Sequence, residues 1–144
     1  MENQTEKTTR YNIQPKKQTD PKYRKLINPK VADRLYDDIL NLVAVEKKYK
    51  DPTYSAKIMA KELKTNVRYL SAVINSRMDG NYNQFVNEYR ITDSKVLLTD
   101  RRYADKSIEE ISAMVGFSNR QSFYGAFYRF VGITPRKYRE EHNR

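Results

Sequence analysis

An internal repeat limits how this chain folds more than any other feature. When the second half is laid over the first, Met59-Ala60 falls on Ile111-Ser112, and Leu70 falls on Phe123 once a single extra residue is allowed in the second turn. The same register sets Arg68 over Gln121, Ala72 over Gly125 and Asn75 over Tyr128. Each half reads as two short helices joined by a tight turn. In the first, a helix begins near Ser55, with Ile58, Met59 and Leu63 inward and Lys57, Lys61 and Glu62 outward. Asn66 then caps a further helix by accepting a backbone N–H. That helix places Val67, Leu70, Val73 and Ile74 on one side and Arg68, Ala72 and Asn75 on the other, flanked by Tyr69 and Ser71.

In the second half, Ser107 and Glu110 form a Ser-x-x-Glu capping box. Ile108, Ile111 and Val115 make the apolar stripe, and Gly116 ends the helix with a residue suited to a left-handed backbone. Ser118 or Asn119 caps the next helix, whose core face is Phe123, Phe127, Phe130 and Val131. Gln121, Gly125 and Tyr128 face the opposite way, with Arg120 and Tyr124 at the edges, and Gly132 stops the helix. Two short helices with a tight turn, the second showing polar donors outward, match a helix-turn-helix.

The other segments fit around this repeat. After Pro29, Val31, Leu35, Ile39, Leu42 and Val43 form one stripe of a helix running to Tyr49 and ended by Pro52. Beyond Gly80, which is free to take positive φ, a longer helix covers Tyr82 to Leu98, with Phe85, Val86, Tyr89, Val96 and Leu97 inward. Residues 101–106 form a charged connector, and Thr134-Pro135 starts a last helix through Tyr138. The expected fold is all-α, with about seven helices in two helix-turn-helix subdomains joined by a long connecting helix. The expected divisions are a disordered basic arm over residues 1–28, a first subdomain with the connecting helix over 29–99, and a second subdomain over 100–144.

Charge and composition narrow the function classes. Lysine and arginine number 28 against 18 acids, a net charge of +10, with an isoelectric point near 9.7. This favours an anionic partner. Met1 to Lys30 holds eight bases and three acids, few apolar residues and three prolines, which is the composition of a disordered arm. Cysteine is absent, so thiolate metal sites and disulfides are excluded. With no signal-peptide core and no apolar run near the roughly 18 residues of a membrane span, a soluble cytoplasmic chain without a membrane partner is expected. The lone histidine, His142, sits in a polar tail where no role is expected; there is no phosphate loop and no metal cluster. No enzyme activity, metal or cofactor is therefore expected.

The residues Gly116-Phe-Ser-Asn-Arg-Gln-Ser-Phe123, then Phe127, Gly132-Ile-Thr-Pro135 and Tyr138-Arg139 resemble the signature of the AraC/XylS transcription regulators. In the first half, Met59-Ala60, Leu63, Tyr69-Leu70-Ser71, Phe85, Tyr89-Arg90-Ile91 and Leu97-Leu98 resemble that family's first motif and connecting helix. The likeness covers about Pro52 to Arg139. It implies a bacterial-type, sequence-specific regulator that binds double-stranded DNA, with two recognition helices entering successive major-groove segments on one face of the duplex. Family habit makes it an activator, which brings RNA polymerase in as a partner. Two readers in one chain make binding as a monomer geometrically feasible. No sensor domain is visible, and both a stand-alone regulator and the output module of a longer protein fit the sequence.

The resemblance places the base-reading positions on Arg68, Ser71 and Ala72 in the first recognition helix and on Arg120, Gln121 and Gly125 in the second. Relatives often carry arginine where Ala72 and Gly125 stand, so readout is expected to shift toward Arg68, Tyr69, Asn75, Arg120, Gln121 and Tyr124, with Ala72 left to touch a thymine methyl. Ser112 replaces a usual alanine and Lys64 a usual glycine. Phosphate anchoring falls to Lys106, Arg136 and Lys137 and to the helix starts at Asn66, Asn119 and Thr134. For Arg90, a structural salt bridge and a phosphate contact are both open. The stretch from Val115 to Val131 has no carboxylate, whereas Glu109 and Glu110 lie just upstream. A carboxylate set against a duplex loses hydration and meets phosphates of its own sign, which accounts for the exclusion. The competing reading is a basic helical module that binds RNA or joins a recombination complex. Structured RNA hides its major groove, so that reading calls for stacking aromatics or minor-groove contacts.

Overall fold

The computed structural model describes residues 28–78 and 80–142. The expected basic arm lies outside these residues, apart from Asn28. The described chain is helical, without strands: α1 Pro29–Leu40, α2 Ala56–Glu62, α3 Val67–Arg77, α4 Tyr82–Thr99, α5 Ile108–Met114, α6 Arg120–Val131 and α7 Pro135–His142. Single 3₁₀ turns cover Lys48–Lys50 and Arg101–Tyr103. The all-α expectation holds.

The repeat is written in the helix caps. Ser55 Oγ accepts the Ile58 N–H at 3.2 Å, and Ser107 Oγ accepts that of Glu110 at 3.0 Å. The Glu110 carboxylate in turn accepts the Ser107 N–H at 2.8 Å, closing the capping box. Asn66 Oδ1 takes the Tyr69 N–H at 2.7 Å, and Asn119 Oδ1 takes that of Ser122 at 2.8 Å. Between the paired helices the backbone turns left-handed at Lys64 (φ 59°) in the first half and at Gly116 (φ 110°) in the second. The extra residue lies between this point and the asparagine cap, where Thr65 alone is answered by Phe117 and Ser118.

Packing divides the chain into two units: residues up to Glu46 with Ser55–Phe85, and Lys47–Tyr54 with Val86 onward. This grouping differs from a single cut at residue 99, because most of α4 and the segment 47–54 pack with the second helix-turn-helix. In the first unit α1 and α2 both pack on α3. Arg77 at the end of α3 pairs with Asp33 of α1 at 2.6 Å, and the Tyr36 hydroxyl donates to Met78 Sδ at 3.0 Å. In the second unit the core joins Ile91 and Leu98 of α4 to Ile108, Ile111 and Val115, Phe117, and Phe123, Ala126 and Phe127 of α6. Phe123 sits 5.2 Å from Phe117 and 5.7 Å from Phe127, ring centre to ring centre.

Several expectations need correction. The helix expected through Tyr49 stops at Leu40, widens into a π-type turn over Asn41–Val45 and breaks at Lys47, whose φ of 52° ends any helix well before Pro52. The break lets Tyr49 turn inward, where it is buried and its hydroxyl donates to Asp93 of α4. Burial first, and then the Asp93 carboxylate, push the Tyr49 phenol above its ordinary range. Ile58, Val67, Val96 and Phe130, all expected inward, are exposed, Phe130 to 40%. Each lies at the margin of its helix's apolar stripe, and α2 is only two turns long. The last helix runs past Tyr138 to His142, whose ring stacks on Tyr138 at 4.1 Å and whose Nδ1 bonds the Tyr138 carbonyl at 2.8 Å.

A Cβ on Gly116 would fall deep inside the van der Waals radius of the Tyr49 carbonyl oxygen, and the residue's φ is unfavourable for any L side chain. Gly116→Ala should therefore cost about 3 kcal/mol or more, from backbone strain together with overpacking. Lys64→Gly, at the matching left-handed position of the first turn, should stabilise by about 1 kcal/mol. Denaturant unfolding followed by circular dichroism checks both. A change within about 0.5 kcal/mol for the Gly116 variant would show that the turn is not closed as described.

Candidate nucleic-acid interface

On α3 the outward residues follow helical spacing. Arg68, at the second position after the Asn66 cap, is exposed and has no ion-pair or hydrogen-bond partner among the described residues. Ser71 is half-buried and Asn75 exposed, so the three form a stripe at i, i+3 and i+7. Two expected readers do not join them. Tyr69 is fully buried, because it continues the inward stripe of Leu70, Val73 and Ile74. Ala72 retains only 8% exposure.

On α6, Arg120, Gln121, Gly125 and Tyr128 are exposed. Gln121, Gly125 and Tyr128 form the stripe at i, i+4 and i+7. Tyr128, which the repeat sets over Asn75, belongs with the candidate readers although it was absent from the expected set; the register match was the available signal. A Cβ built on Gly125 meets nothing within 4 Å, so no contact inside the protein demands glycine there. Tyr124, expected to read bases, instead lies half-buried against the core. Its ring packs edge-on to Phe123 at 6.0 Å, and its hydroxyl is buried with no hydrogen-bond partner among the described residues. The Arg120 guanidinium lies over the Tyr124 ring, 4.8 Å from its centre, while Glu109 Oε2 meets Arg120 Nε at 3.3 Å. Tyr124 thus lies beneath Arg120, a candidate reader, and shows less of its surface than the residues of the outward stripe.

The expected phosphate-binding residues divide similarly. Asn66, Asn119 and Thr134 spend their side-chain oxygens on caps, the last accepting the Lys137 N–H at 3.1 Å. What the helix starts offer an anion is therefore backbone N–H groups and the positive end of the helix dipole. Arg136 and Lys137 are exposed in the first turn of α7, and Lys106 is half-buried.

Other cations are internal fasteners. Arg90 Nε donates to the Tyr49 carbonyl at 3.0 Å and its Nη1 to Asn87 at 3.2 Å, with the guanidinium 5.6 Å from the centre of the Phe117 ring. Arg139 donates to three carbonyls, of Leu98 (3.2 Å), Lys106 (2.8 Å) and Tyr103 (3.2 Å). Arg102 holds Asp100 at 2.7 Å, and these hydrogen bonds keep the Asp100 carboxyl below its ordinary range. No local sequence signal marks Arg139 as a carbonyl binder, since its acceptors lie 33 to 41 residues away. Among the described residues no cluster of side chains suited to a metal occurs, and no helix is long and apolar enough to cross a membrane.

This geometry, two capped helix-turn-helix units each with a polar outward stripe, agrees with comparison to known proteins. The family described as a helix-turn-helix domain matches residues 59–141. The chain belongs to the AraC-type helix-turn-helix family. The melibiose operon regulatory protein of Escherichia coli K12 is 32% identical over 82 residues, covering 57% of this chain and 26% of that protein. The probable transcriptional regulator LumQ of Photobacterium leiognathi is 30% identical over 104 residues, covering 69% of this chain and 40% of the relative. The chain spans about a quarter of the length of the first of these. Among solved structures, a protein of unknown function from Listeria innocua superposes with a TM-score of 0.68 at 21% identity, covering 75% of this chain and 97% of the other. A transcriptional regulator with an AraC-type DNA-binding domain from Chromobacterium violaceum gives 0.61 at 21% identity, covering 80% and 96%. These likenesses show the fold. The relatives it matches are named as regulators of an operon or of transcription.

Arginines that fasten and arginines that read should separate on mutation. Arg139→Ala leaves three carbonyls without their donor and should cost about 2–4 kcal/mol. Arg68→Ala should change stability by no more than about 0.5 kcal/mol. Urea unfolding of the two variants checks the division, and equal losses would overturn it.

Proposed function

We propose that this chain is a sequence-specific reader of double-stranded DNA that regulates transcription, with α3 and α6 inserted into successive major-groove segments. The carrying observation is the matched pair of outward stripes, Arg68, Ser71 and Asn75 on α3 and Gln121, Gly125 and Tyr128 on α6 beside Arg120, each on a helix whose start is fixed by an asparagine cap. Arginine suits guanine O6 and N7 through a two-pronged contact, and asparagine or glutamine suits adenine N6 and N7. Arg136, Lys137, Lys106 and the helix starts at Asn66, Asn119 and Thr134 anchor phosphates and set the register. With two readers in one chain, a single copy suffices for a two-part site. The reading as an activator, which contacts RNA polymerase in the cytoplasm, rests on family habit and on the name of one relative, the transcriptional activator AggR of Escherichia coli, 34% identical over 68 residues.

Selection of bound duplexes from a random pool should return a two-part site with its halves about one helical turn, roughly 34–36 Å, apart. Arg68→Ala and Arg120→Ala should each erase preference at a different half, at a cost of about 1–3 kcal/mol of discrimination. Base preference that survives removal of both arginines would defeat the assignment. Structured RNA that competes on equal terms with the selected duplex at the same salt would favour the RNA reading instead.

Gly125 gives a separate test. Because its Cβ position is open, Gly125→Ala should stabilise the folded chain by about 0.5–1 kcal/mol through helix propensity. If backbone approaches DNA there, the same substitution weakens binding to the selected site. Greater thermal stability with unchanged affinity would place Gly125 outside the interface.

A further inference from the structure

The acids beside the acid-free helix have separate partners. Glu110 is committed to the capping box. Glu109, one residue earlier, has no role in that cap, yet its carboxylate meets the Arg120 Nε at 3.3 Å across the turn. Both side chains stay more than half exposed, at 58% for Arg120 and 52% for Glu109, so the pair lies in water and not in the core. Tyr124 closes the arrangement from beneath, its ring 4.8 Å from the guanidinium carbon. A guanidinium has two faces for a planar acceptor pair, one using Nε and one terminal nitrogen, the other using both terminal nitrogens. Glu109 takes the Nε side. Among the described residues nothing hydrogen-bonds the terminal nitrogens of Arg120.

We infer that Glu109 is a positioning residue for specificity: it holds Arg120 on the Tyr124 ring with the terminal fork outward, so that Arg120 reads guanine end-on and is discouraged from settling on a phosphate. The inference rests on the DNA-reading function proposed above. An unheld arginine has many rotamers and meets phosphates wherever the duplex presents them, which adds affinity without sequence information. An arginine already oriented loses less freedom on making its base contact. The carboxylate beside it also repels a phosphate approaching from the Nε side, while leaving room for the O6 and N7 acceptors of guanine at the fork. The first repeat has no such pair, because Lys57 stands where Glu109 does and Val67 where Arg120 does. Arg68 therefore reads without a tether, and the half-site under α6 should be the more sharply defined.

The test uses the full chain and the duplex selected with it. The guanine that depends on Arg120 is first located as the position whose preference disappears in Arg120→Ala. Glu109→Ala should then lower preference for that guanine by roughly threefold to fivefold, in keeping with an exposed pair. Binding to a scrambled duplex should tighten, and the salt dependence should steepen by about one phosphate contact. Glu109→Asp, shorter but still charged, should restore part of the preference, and Glu109→Gln should restore less. Thermal unfolding should stay near wild type in all three, because the side chain is exposed. A Glu109→Ala protein with undiminished guanine preference and an unchanged salt slope overturns the inference while leaving the DNA-reading function intact. A wild-type chain with no base preference on any duplex sinks both, and it does so before any variant is made.

Discussion

The second helix-turn-helix depends on a close backbone contact. Gly116 passes so near the Tyr49 carbonyl that no side chain fits between them, and Arg90 Nε donates to that same oxygen at 3.0 Å. Helices of seven and twelve residues, such as α5 and α6, do not persist alone in water; they need packing to hold them. The turn glycine, the carbonyl and the guanidinium together fix where α5 ends and where the chain re-enters α6. The next residue, Phe117, then drops into the core beneath Arg90 and 5.2 Å from Phe123. The segment 47–54, from a distant part of the sequence, is what makes this possible. It packs with the second unit because Tyr49 is buried there and its hydroxyl donates to Asp93.

The same reading element is supported differently in each half. In the first unit α1 acts as the brace, through the Asp33–Arg77 pair and the Tyr36–Met78 hydrogen bond, and the turn tolerates a left-handed lysine at a cost of about 1–2 kcal/mol. In the second unit α7 and the connector do this work, with Arg139 bonding carbonyls from the end of α4 to Lys106. Repetition is therefore strictest where the chain must present a helix start, at Asn66 and Asn119, and weakest in the scaffold behind. That is the expected pattern if what the repeat preserves is the presentation of one outward helix face within each unit.

What was legible in the sequence was local. Caps, left-handed glycines and helical stripes act within a turn or two, so Ser55, Asn66, Ser107 and Asn119 marked the starts of α2, α3, α5 and α6, and Gly116 and Gly132 the ends of α5 and α6. What was not legible was tertiary. Tyr69 looked like an edge residue because aromatic side chains at the margin of a stripe go either way, and packing against α1 and α2 is not visible from spacing. Tyr124 is half-buried because Arg120 lies over its ring and Phe123 against its edge. The break before Tyr49 depends on Lys47 adopting a left-handed backbone, which lysine seldom does without tertiary support. Phe130 shows the opposite error, an aromatic assigned to the core by its helical spacing from Phe123 and Phe127 although it lies where the helix stripe runs out.

A net charge of +10 says less about the interface than the way the arginines are employed. Arg77, Arg90, Arg102 and Arg139 have internal acceptors, so their forks are taken. Arg34, Arg68, Arg101, Arg129 and Arg136 are exposed without an acceptor among the described residues, and Arg120 is held by Glu109 at its Nε and by the Tyr124 ring at its face. The guanidinium groups with a fork to offer thus include Arg68 on α3, Arg120 and Arg129 on α6 and Arg136 on α7, elements whose starts also present unpaired N–H groups, as well as Arg34 on α1 and Arg101 in the connector. Carboxylates follow the complementary rule. Those nearest α6 are engaged, Glu110 by the cap and Glu109 by Arg120, so a polyanion nearing this helix meets oriented donors with little uncompensated negative charge. The acid-free run of α6 and the engagement of its neighbouring acids are two expressions of one electrostatic constraint, since an unpaired carboxylate at either place would repel the same phosphates.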